Sequence, residues 1–276
     1  MQKLTRLSSM REDVFARIDG GAEEIRTNTS YYWDNSKRLE SNRINLQRTL
    51  SGEGFFEESN GRRYAVPQGT MMAFTQRENS RYGYPATGSQ PYHLQYLSID
   101  SSASANPLFN RIRQDFGPVL SIPDQSESGI LFQEAYERFN QGNFRDRYHE
   151  SELIIRLFTA IYRQQVAETQ GSNPIEYCYH LLHNRYADAI TLKGIAKTCG
   201  VTREHLIRAF TKRYHTSPGA MLRELRLSHA KGMLESTSLP IEQIAAASGF
   251  SSSNVFCRAF RNTYHTSPAR HRSLLR

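Results

Sequence analysis

The string YHTSP occurs twice in this chain, at Tyr214–Pro218 and at Tyr264–Pro268, 50 residues apart. A five-residue string rarely recurs by chance in 276 residues, and a fixed internal period is typical of duplicated structural units. The first copy ends the stretch TLKGIAKTCGVTREHLIRAFTKRYHTSP, and the second ends PIEQIAAASGFSSSNVFCRAFRNTYHTSP. The C-terminal part of the chain must therefore build the same local structure twice.

The aligned copies have the pattern of two helices joined by a tight turn. Apolar residues at matched positions define a short first helix, which Gly200 or Gly249 can end in a left-handed conformation. Thr202 or Ser252 then provides an N-cap for a second helix. The offset between copies is 49 residues before the glycine and 50 after the cap, so the one extra residue falls in the turn. This arrangement predicts two helix-turn-helix units.

The second helix of each unit has a polar face opposite its apolar side. At about 100° per residue, the apolar positions of the two copies are equivalent: Leu206, Ala209 and Phe210, then Phe256, Ala259 and Phe260. The opposite faces carry Glu204, Arg208 and Thr211, then Asn254, Arg258 and Arg261. In the DNA major groove, arginine suits guanine, asparagine suits adenine and glutamate suits cytosine, so these faces predict base reading. The alternative is two solvated faces of an ordinary helical domain.

Pro218 and Pro268 each stand where a further helix can begin, with Ser217 or Ser267 as its cap. About 16 residues after Pro218 keep a helical pattern, which corresponds to roughly 24 Å of helix. Its apolar residues are available to two cores, and its basic residues are left for solvent or phosphate groups: Arg223, Arg226 and Lys231. Adjacent major-groove faces lie about 34 Å apart, so this helix is suited to hold two reading helices at a fixed separation.

The basic charge of the chain is concentrated in its C-terminal part. Residues 172–276 contain 15 Lys and Arg against 6 Asp and Glu, a net charge of +9, whereas the preceding residues hold 20 against 21, a net charge of −1. A basic module joined to a nearly neutral one is typical of a nucleic-acid-binding domain attached to a second domain. A basic surface that serves only solubility is the alternative.

The chain before residue 172 has two further patterns. Up to about residue 120, short β-favouring runs are separated by turns such as Ser59–Gly61, which predicts an antiparallel sandwich or barrel. The runs are INLQRTL, GEGFFEE, RRYAVPQG, TMMAF and YHLQYLSI. From about Gly129 to Thr169 the pattern is helical, with one apolar stripe formed by Ile154, Leu157, Phe158 and Ile161. This stripe either mediates self-association or packs on its own barrel.

GSNP at residues 171–174 looks like a domain boundary. We therefore expect a multidomain α+β protein with segments 1–120, 121–171 and an all-α segment 172–276.

The stretch RLSHAKGMLESTSLPIEQIAAASGFSSSNVFCRAFRNTYHTSP resembles the signature region of the AraC-type bacterial transcription regulators, and the resemblance covers about residues 173–270. It implies a promoter-binding protein whose two recognition helices enter successive major grooves, with RNA polymerase and a second copy of the chain as further partners. By position it implies base contacts from Arg203, Glu204, Ile207 and Arg208, and from Ser253, Asn254, Cys257 and Arg258. The outward faces described above add Thr211 and Arg261. Ile207 and Cys257 suit a thymine methyl group or the DNA backbone.

A looser resemblance covers the first segment. GEGFFEESNGRRYAVPQGTMMAF is similar to the strand–glycine–strand pattern of the cupin-like effector domains found in the same family. This resemblance implies a cupin-like antiparallel β-barrel that binds a small molecule, such as a sugar, followed by a helical segment that dimerises. The expected effector-binding residues are Trp33, Arg38, Tyr82, His93 and Tyr96. Ordinary barrel packing is the alternative explanation for the aromatic residues among them.

The sequence lacks the motifs that are typical of the enzyme classes considered for such a chain. Before Ser172 there are only two histidines, His93 and His149, which are too few for the His-rich metal site of a cupin enzyme. The sequence has neither a Gly-x-Ser-x-Gly elbow nor a phosphate-binding loop. We therefore expect no catalytic residues, no metal and no cofactor. The alternative to a ligand-responsive regulator is an architectural DNA-binding protein with an inert N-terminal dimerisation domain.

The sequence also predicts a cytoplasmic protein that does not enter a membrane. Its first residues, MQKLTRLSSMREDVF, carry charges where a secretory signal needs an apolar stretch. No apolar run approaches the roughly 18 residues that a membrane span requires. The three cysteines, Cys178, Cys199 and Cys257, have no metal-like spacing and are expected to be reduced.

Overall fold

The computed structural model of the protein describes residues 14–38, 43–100 and 102–274. Most of the N-terminal stretch that bears on a secretory signal lies outside these residues. The chain divides into two compact units, and the boundary between them falls between Gln165 and Val166. Each unit has its own apolar cores.

The first unit is built on two antiparallel sheets. Its strands among the described residues are β1 (Ile18–Arg26), β2 (Tyr32–Asp34), β3 (Ile44–Ser51), β4 (Glu53–Glu57), β5 (Arg63–Pro67), β6 (Thr70–Thr75), β7 (Arg81–Gly83), β8 (Tyr92–Ile99) and β9 (Val119–Ser121). The larger sheet has the order β1-β8-β3-β6-β9, and the smaller has the order β2-β7-β4-β5. The predicted α+β class is confirmed, with one correction. The described edge strands β1 and β9 pair with no strand of the smaller sheet, so the sheets stay open and form no closed barrel.

The larger sheet is buried on both faces. Side chains alternate along a strand, so in β3 Ile44 and Leu46 face one core while Asn45 and Gln47 point to the other side. The core between the two sheets is mostly aromatic and consists of Tyr31, Phe56, Val66, Met72, Phe74, Tyr82, Tyr84, Tyr92 and Leu94. The core on the opposite face is shared with helices α1 (Ala105–Phe116), α2 (Glu127–Gln141) and α3 (Arg147–Ser172). The unit therefore has a helical layer over two sheets.

The apolar stripe of α3 lies inside this unit. Ile154, Leu157, Phe158 and Ile161 are all at most 1% exposed, and they belong to the same core as Leu97 on β8. Of the two explanations for this stripe, packing on its own sheet is confirmed and self-association through this face is wrong. The physical reason is that the same i, i+3, i+4, i+7 spacing serves a helix that covers a sheet and a helix that meets a partner.

The second unit is helical. Its helices among the described residues are α4 (Pro174–Arg185), α5 (Leu192–Thr198), α6 (Arg203–Tyr214), α7 (Pro218–Ser236), α8 (Ile241–Ala247), α9 (Ser253–Tyr264) and α10 (Pro268–Ser273). The pairs α5–α6 and α8–α9 are the two predicted helix-turn-helix units. Their starting residues are offset by 49 for the first helix and by 50 for the second, and the extra residue lies in the turn.

The turns form as the sequence predicts. Gly200 and Gly249 have φ angles of 66° and 79°, which are in the left-handed region that favours glycine. The Thr202 hydroxyl accepts a hydrogen bond from the His205 amide at 3.1 Å, and the Ser252 hydroxyl accepts one from the Val255 amide at 3.3 Å. Each cap satisfies one of the unpaired amides at the start of its helix and so fixes where that helix begins.

The YHTSP string ends one helix and begins the next within five residues. His215 and His265 adopt left-handed φ angles of 56° and 57° at the ends of α6 and α9. Ser217 and Ser267 then cap α7 and α10, and a proline occupies the first helical position of each. The duplicated string thus gives both units the same terminal turn.

Helix α7 joins the two units of the repeat, as its sequence predicts. Met221, Leu222 and Leu225 pack against the first core, which contains Leu206 and Phe210. Toward its other end, the helix contributes Leu227, Ala230 and Leu234 to the second core. Its 19 residues correspond to about 28 Å of helix.

A loop after α4 ties the two helix-turn-helix units together. The Arg226 guanidinium on α7 donates hydrogen bonds to the backbone carbonyls of Tyr186 at 2.7 Å and Asp188 at 2.9 Å. The turn of the second unit touches the same loop, because a Cβ atom on Gly249 would lie 2.8 Å from the carbonyl oxygens of Tyr186 and Ala187. Arg226 is therefore a structural residue, and the expectation that it serves solvent or phosphate groups is wrong.

We expect Gly249→Ala to destabilise the second helix-turn-helix unit more than Gly200→Ala destabilises the first. Both glycines have left-handed φ angles, so alanine at either position costs about 1–2 kcal/mol. At Gly249 the added methyl group also meets two carbonyl oxygens, whereas nothing lies within 4 Å of the corresponding atom at Gly200. Amide hydrogen exchange of α7 and α9 in the full chain measures the difference. Equal loss of protection in the two variants would contradict a tight contact between the loop and the turn.

Candidate nucleic-acid interface and ligand cavity

The outward faces of α6 and α9 are two copies of one surface. From position 204 to 218 and from 254 to 268, the buried, half-buried and exposed residues follow the same order. Leu206 and Phe210 are fully buried on α6, as Phe256 and Phe260 are on α9. The exposed residues among the predicted DNA contacts are Arg203, Glu204, Arg208, Thr211, Asn254, Arg258 and Arg261. Each helix therefore turns these polar residues away from its core.

The other predicted contacts lie at the edges of these faces. Ile207, Ser253 and Cys257 are half-buried, and Cys257 packs against the second core. At about 100° per residue, positions 207 and 257 are one step from the fully buried Leu206 and Phe256. Their exposed surface is small, so any contact with DNA from these positions is limited to an edge of the helix.

Three exposed arginines on the two faces are available for an external partner. Within the described part of the chain, the side chains of Arg208, Arg258 and Arg261 form no hydrogen bond and no ion pair. Arg213, by contrast, lies on the flank of α6 and contacts Glu176 at 3.3 Å. A planar guanidinium that is exposed and unpaired can make two parallel hydrogen bonds to guanine or to phosphate.

Further exposed residues on the same faces were not predicted from the sequence. His205 and Lys212 on α6, and Val255 and Asn262 on α9, are exposed and lie within about 60° of Arg208 or Arg258 around the helix. The helical periodicity that identified the arginines also includes these positions. Val255 differs from the rest because it is an apolar side chain that is 38% exposed.

The first unit contains a cavity of about 580 Å³ between its two sheets. Four of the five predicted effector residues line it: Trp33, Arg38, Tyr82 and Tyr96. At one side, the Arg38 guanidinium lies 4.5 Å from the centre of the Trp33 ring and donates a 2.5 Å hydrogen bond to the Tyr82 hydroxyl. The cavity thus combines aromatic surfaces with a directed cation.

Buried polar side chains form another wall of the cavity. Asn45, Gln47, Gln76 and Ser98 line it, and all four are buried. The Gln47 amide accepts from the Tyr31 hydroxyl at 3.2 Å and donates to the Tyr92 hydroxyl at 3.0 Å, which fixes its orientation. The Ser98 hydroxyl is buried without a hydrogen-bond partner among the described residues. A buried hydroxyl in this state lacks the compensation that a ligand hydroxyl would supply.

The tyrosines that line the cavity or lie behind its Gln47 wall are hydrogen-bond donors at neutral pH. Burial raises the pKa of the Tyr31 and Tyr82 phenols, and it raises the pKa of Tyr92 to about 12. A phenol is already protonated at neutral pH with its ordinary pKa of about 10, and burial disfavours the charged form further. The cavity therefore offers neutral donors and acceptors of the kind that bind hydroxyl groups, beside charged side chains such as Glu24, Arg26 and Arg38.

His93 does not lie with the other predicted effector residues. Side chains alternate along β8, so Tyr92, Leu94 and Tyr96 face the cavity side while His93 points to the opposite face of the sheet. There its Nε2 atom lies 2.7 Å from Glu23 Oε1. We therefore leave His93 out of the candidate cavity.

Within residues 14–38, 43–100 and 102–274, no group of three or more His, Cys, Asp and Glu side chains is arranged to hold a metal ion. Across the same ranges, every helix is too short or too polar to span a bilayer.

Comparison with known proteins places the C-terminal part in a family. The family model of a helix-turn-helix domain matches residues 195–273. The chain is 34% identical over 91 residues to the uncharacterised HTH-type transcriptional regulator YijO of Escherichia coli, covering 33% of this chain and 32% of that protein. It is 23% identical over 235 residues to the lactose operon transcription activator of Staphylococcus xylosus, covering 82% of each.

A solved structure of an AraC-type DNA-binding domain protein from Chromobacterium violaceum is 31% identical, with 37% of this chain and 91% of that chain covered and a TM-score of 0.33. The matches span about a third to a half of the first three curated relatives, at 32%, 33% and 47% of their lengths. The curated relatives named above are transcription regulators, and the family match falls on the two helix-turn-helix units. The chain belongs to the AraC-type family of helix-turn-helix transcription regulators.

Proposed function

We propose that this protein binds promoter DNA through α6 and α9 and that a small polar molecule in the cavity of its first unit controls this binding. The observation that carries the proposal is the duplicated outward face, on which Arg208 and Arg258 occupy equivalent exposed positions without a partner in the described chain. The net charge of +9 over residues 172–276, from 15 basic and 6 acidic residues, supports a polyanionic partner. RNA polymerase and a second copy of the chain are the further partners that the family resemblance suggests.

The two faces are suited to read two successive major grooves from one chain. Helix α7 and the Arg226 contact hold α6 and α9 on a common support. In this proposal Arg208 and Arg258 each contact a guanine, Asn254 contacts an adenine and Glu204 contacts a cytosine. Arg203, Thr211, Ser253 and Arg261 contribute at the margins of the same faces, with Ile207 and Cys257 at the edges. Because α6 and α9 differ in sequence, the two half-sites differ as well.

We expect Arg208→Ala and Arg258→Ala each to weaken specific binding by about 1–3 kcal/mol and to relax base preference at one position. Lys231→Ala is the matched control, because Lys231 lies on α7, pairs with Glu235 at 3.8 Å and is not one of the outward-facing residues of α6 or α9. Its loss should leave base preferences unchanged. Fluorescence anisotropy with duplexes substituted one base pair at a time measures both effects. An unchanged preference profile in Arg208→Ala would show that α6 is oriented differently on DNA.

The cavity supports a sugar or a related polyol as the ligand. Its volume of about 580 Å³ lies in the range of small-molecule sites. Aromatic rings can pack on the apolar face of a sugar ring, while Asn45, Gln47 and Ser98 bind hydroxyl groups. The lactose operon activator of Staphylococcus xylosus, which matches 82% of this chain, adds support for a saccharide. Ligand binding changes DNA affinity only if the ligand prefers one of two states of the protein.

We expect a saccharide that binds the cavity to change the fluorescence of Trp33, the single tryptophan of the chain. At about 100 times its dissociation constant it should also add about 2.7 kcal/mol to the stability of the first unit. Removing one hydroxyl in Tyr82→Phe or Ser98→Ala should weaken binding by about 0.5–1.5 kcal/mol. His93→Ala is the control on the other face of β8 and should bind normally.

A panel of mono- and disaccharides screened by fluorescence and thermal shift tests this expectation. If a saccharide binds Tyr82→Phe and Ser98→Ala as tightly as the wild type, the cavity is the wrong site. If DNA binding proceeds unchanged with every compound, the architectural alternative, in which the first unit senses nothing, is favoured.

A further inference from the structure

The two reading faces share a central arginine and differ in chemistry on both sides of it. Arg208 and Arg258 correspond, and on one side of them Glu204 on α6 is matched by Asn254 on α9. On the other side, His205 on α6 is matched by Val255 on α9. A polar residue of the first face is therefore replaced by an aliphatic one in the second, next to the residue that suits adenine.

The Val255 side chain is turned outward and held there. It is 38% exposed, although Phe256 beside it is fully buried. Val255 does not belong to the second core or to the partly buried residues packed against it. Its amide donates to the Ser252 cap at 3.3 Å, which fixes the first turn of α9. A β-branched side chain in a helix also has one strongly preferred rotamer, so its methyl groups are presented in a defined direction.

A single exposed aliphatic residue on a protein surface is ordinary. The position of Val255 gives it a more specific meaning, because it lies about 60° around the helix from Arg258 and about 100° from Asn254. The three residues share the first half of the outward face. In the major groove, the edges of adenine, guanine and cytosine present hydrogen-bonding groups, whereas thymine also presents an apolar 5-methyl group.

From this placement we infer that Val255 is a specificity-determining residue that contacts the 5-methyl group of a thymine in the half-site bound by α9. Asn254 suits the adenine and Val255 suits the thymine methyl group, either of one A·T pair or of two neighbouring A·T pairs. Arg258 reads a guanine in the same half-site. The inference rests on the proposed DNA binding, and it identifies one base, a thymine, in the half-site bound by α9.

The experiment removes only the methyl group. Duplexes that bind the full chain are first selected from a random-sequence library, and the α9 half-site is the one whose base preferences relax in Arg258→Ala but not in Arg208→Ala. Each thymine of that half-site is then replaced singly by deoxyuridine, which keeps the base pair. One replacement should weaken binding about three- to fivefold, as expected for the loss of one buried methyl group.

A double-mutant cycle assigns this loss to the valine. Val255→Ala should bind the thymine and deoxyuridine duplexes equally well, while Val255→Ile should still distinguish them. His205→Ala, at the equivalent position of α6, should leave the methyl effect in the α9 half-site unchanged. The deoxyuridine measurement on the wild-type protein stands on its own if a valine variant fails to fold.

Two results would overturn the inference. Every deoxyuridine replacement in the α9 half-site could leave wild-type affinity within about twofold, or Val255→Ala could retain the full methyl effect. Both results would leave sequence-specific DNA binding intact. If instead the library yields no enriched sequence, the DNA-binding proposal fails and the inference fails with it.

Discussion

The hydrogen bonds from Arg226 to the carbonyls of Tyr186 and Asp188 join parts of the second unit that are distant in sequence. They fix the loop after α4 to α7, and Gly249 brings the turn of the second helix-turn-helix unit against the same loop. The acceptors are backbone atoms, so the contact depends on the course of the chain and not on the side chains of the loop. The common support of α6 and α9 follows from this contact and from the two cores on α7.

In the proposed function, this arrangement allows one chain to read an asymmetric DNA site. Two identical subunits present identical faces and favour palindromic half-sites, whereas α6 and α9 share a central arginine and differ beside it. The α3 stripe is buried in its own core, so a second copy of the chain, if it binds, must use another surface. Helix α3 also continues past the boundary of the first unit to Ser172.

The sequence predicted those features that depend on local signals. The glycine turns, the caps and the duplicated string follow from backbone preferences, and β3, β4, β5, β6 and β8 from runs of strand-forming residues. Strand β1 was missed because IDGGAEEIR is rich in glycine and charge, and β2, β7 and β9 because three residues are too few to show alternation. His93 was placed by its position in the family, although its alternation with Tyr92 on β8 indicates the opposite face. The role of Arg226 could not be predicted, because its partners are carbonyls 38 and 40 residues away.

The central claim is that α6 and α9 are held at one separation and read two half-sites together. The most direct test inserts one base pair between the two half-sites of a selected duplex and measures binding of the full chain by anisotropy. The insertion moves one half-site by about 3.4 Å and rotates it by about 35°. A fixed separation predicts a loss of about tenfold or more, because the base contacts of one helix are broken. Affinity within about twofold of the original duplex would contradict the account.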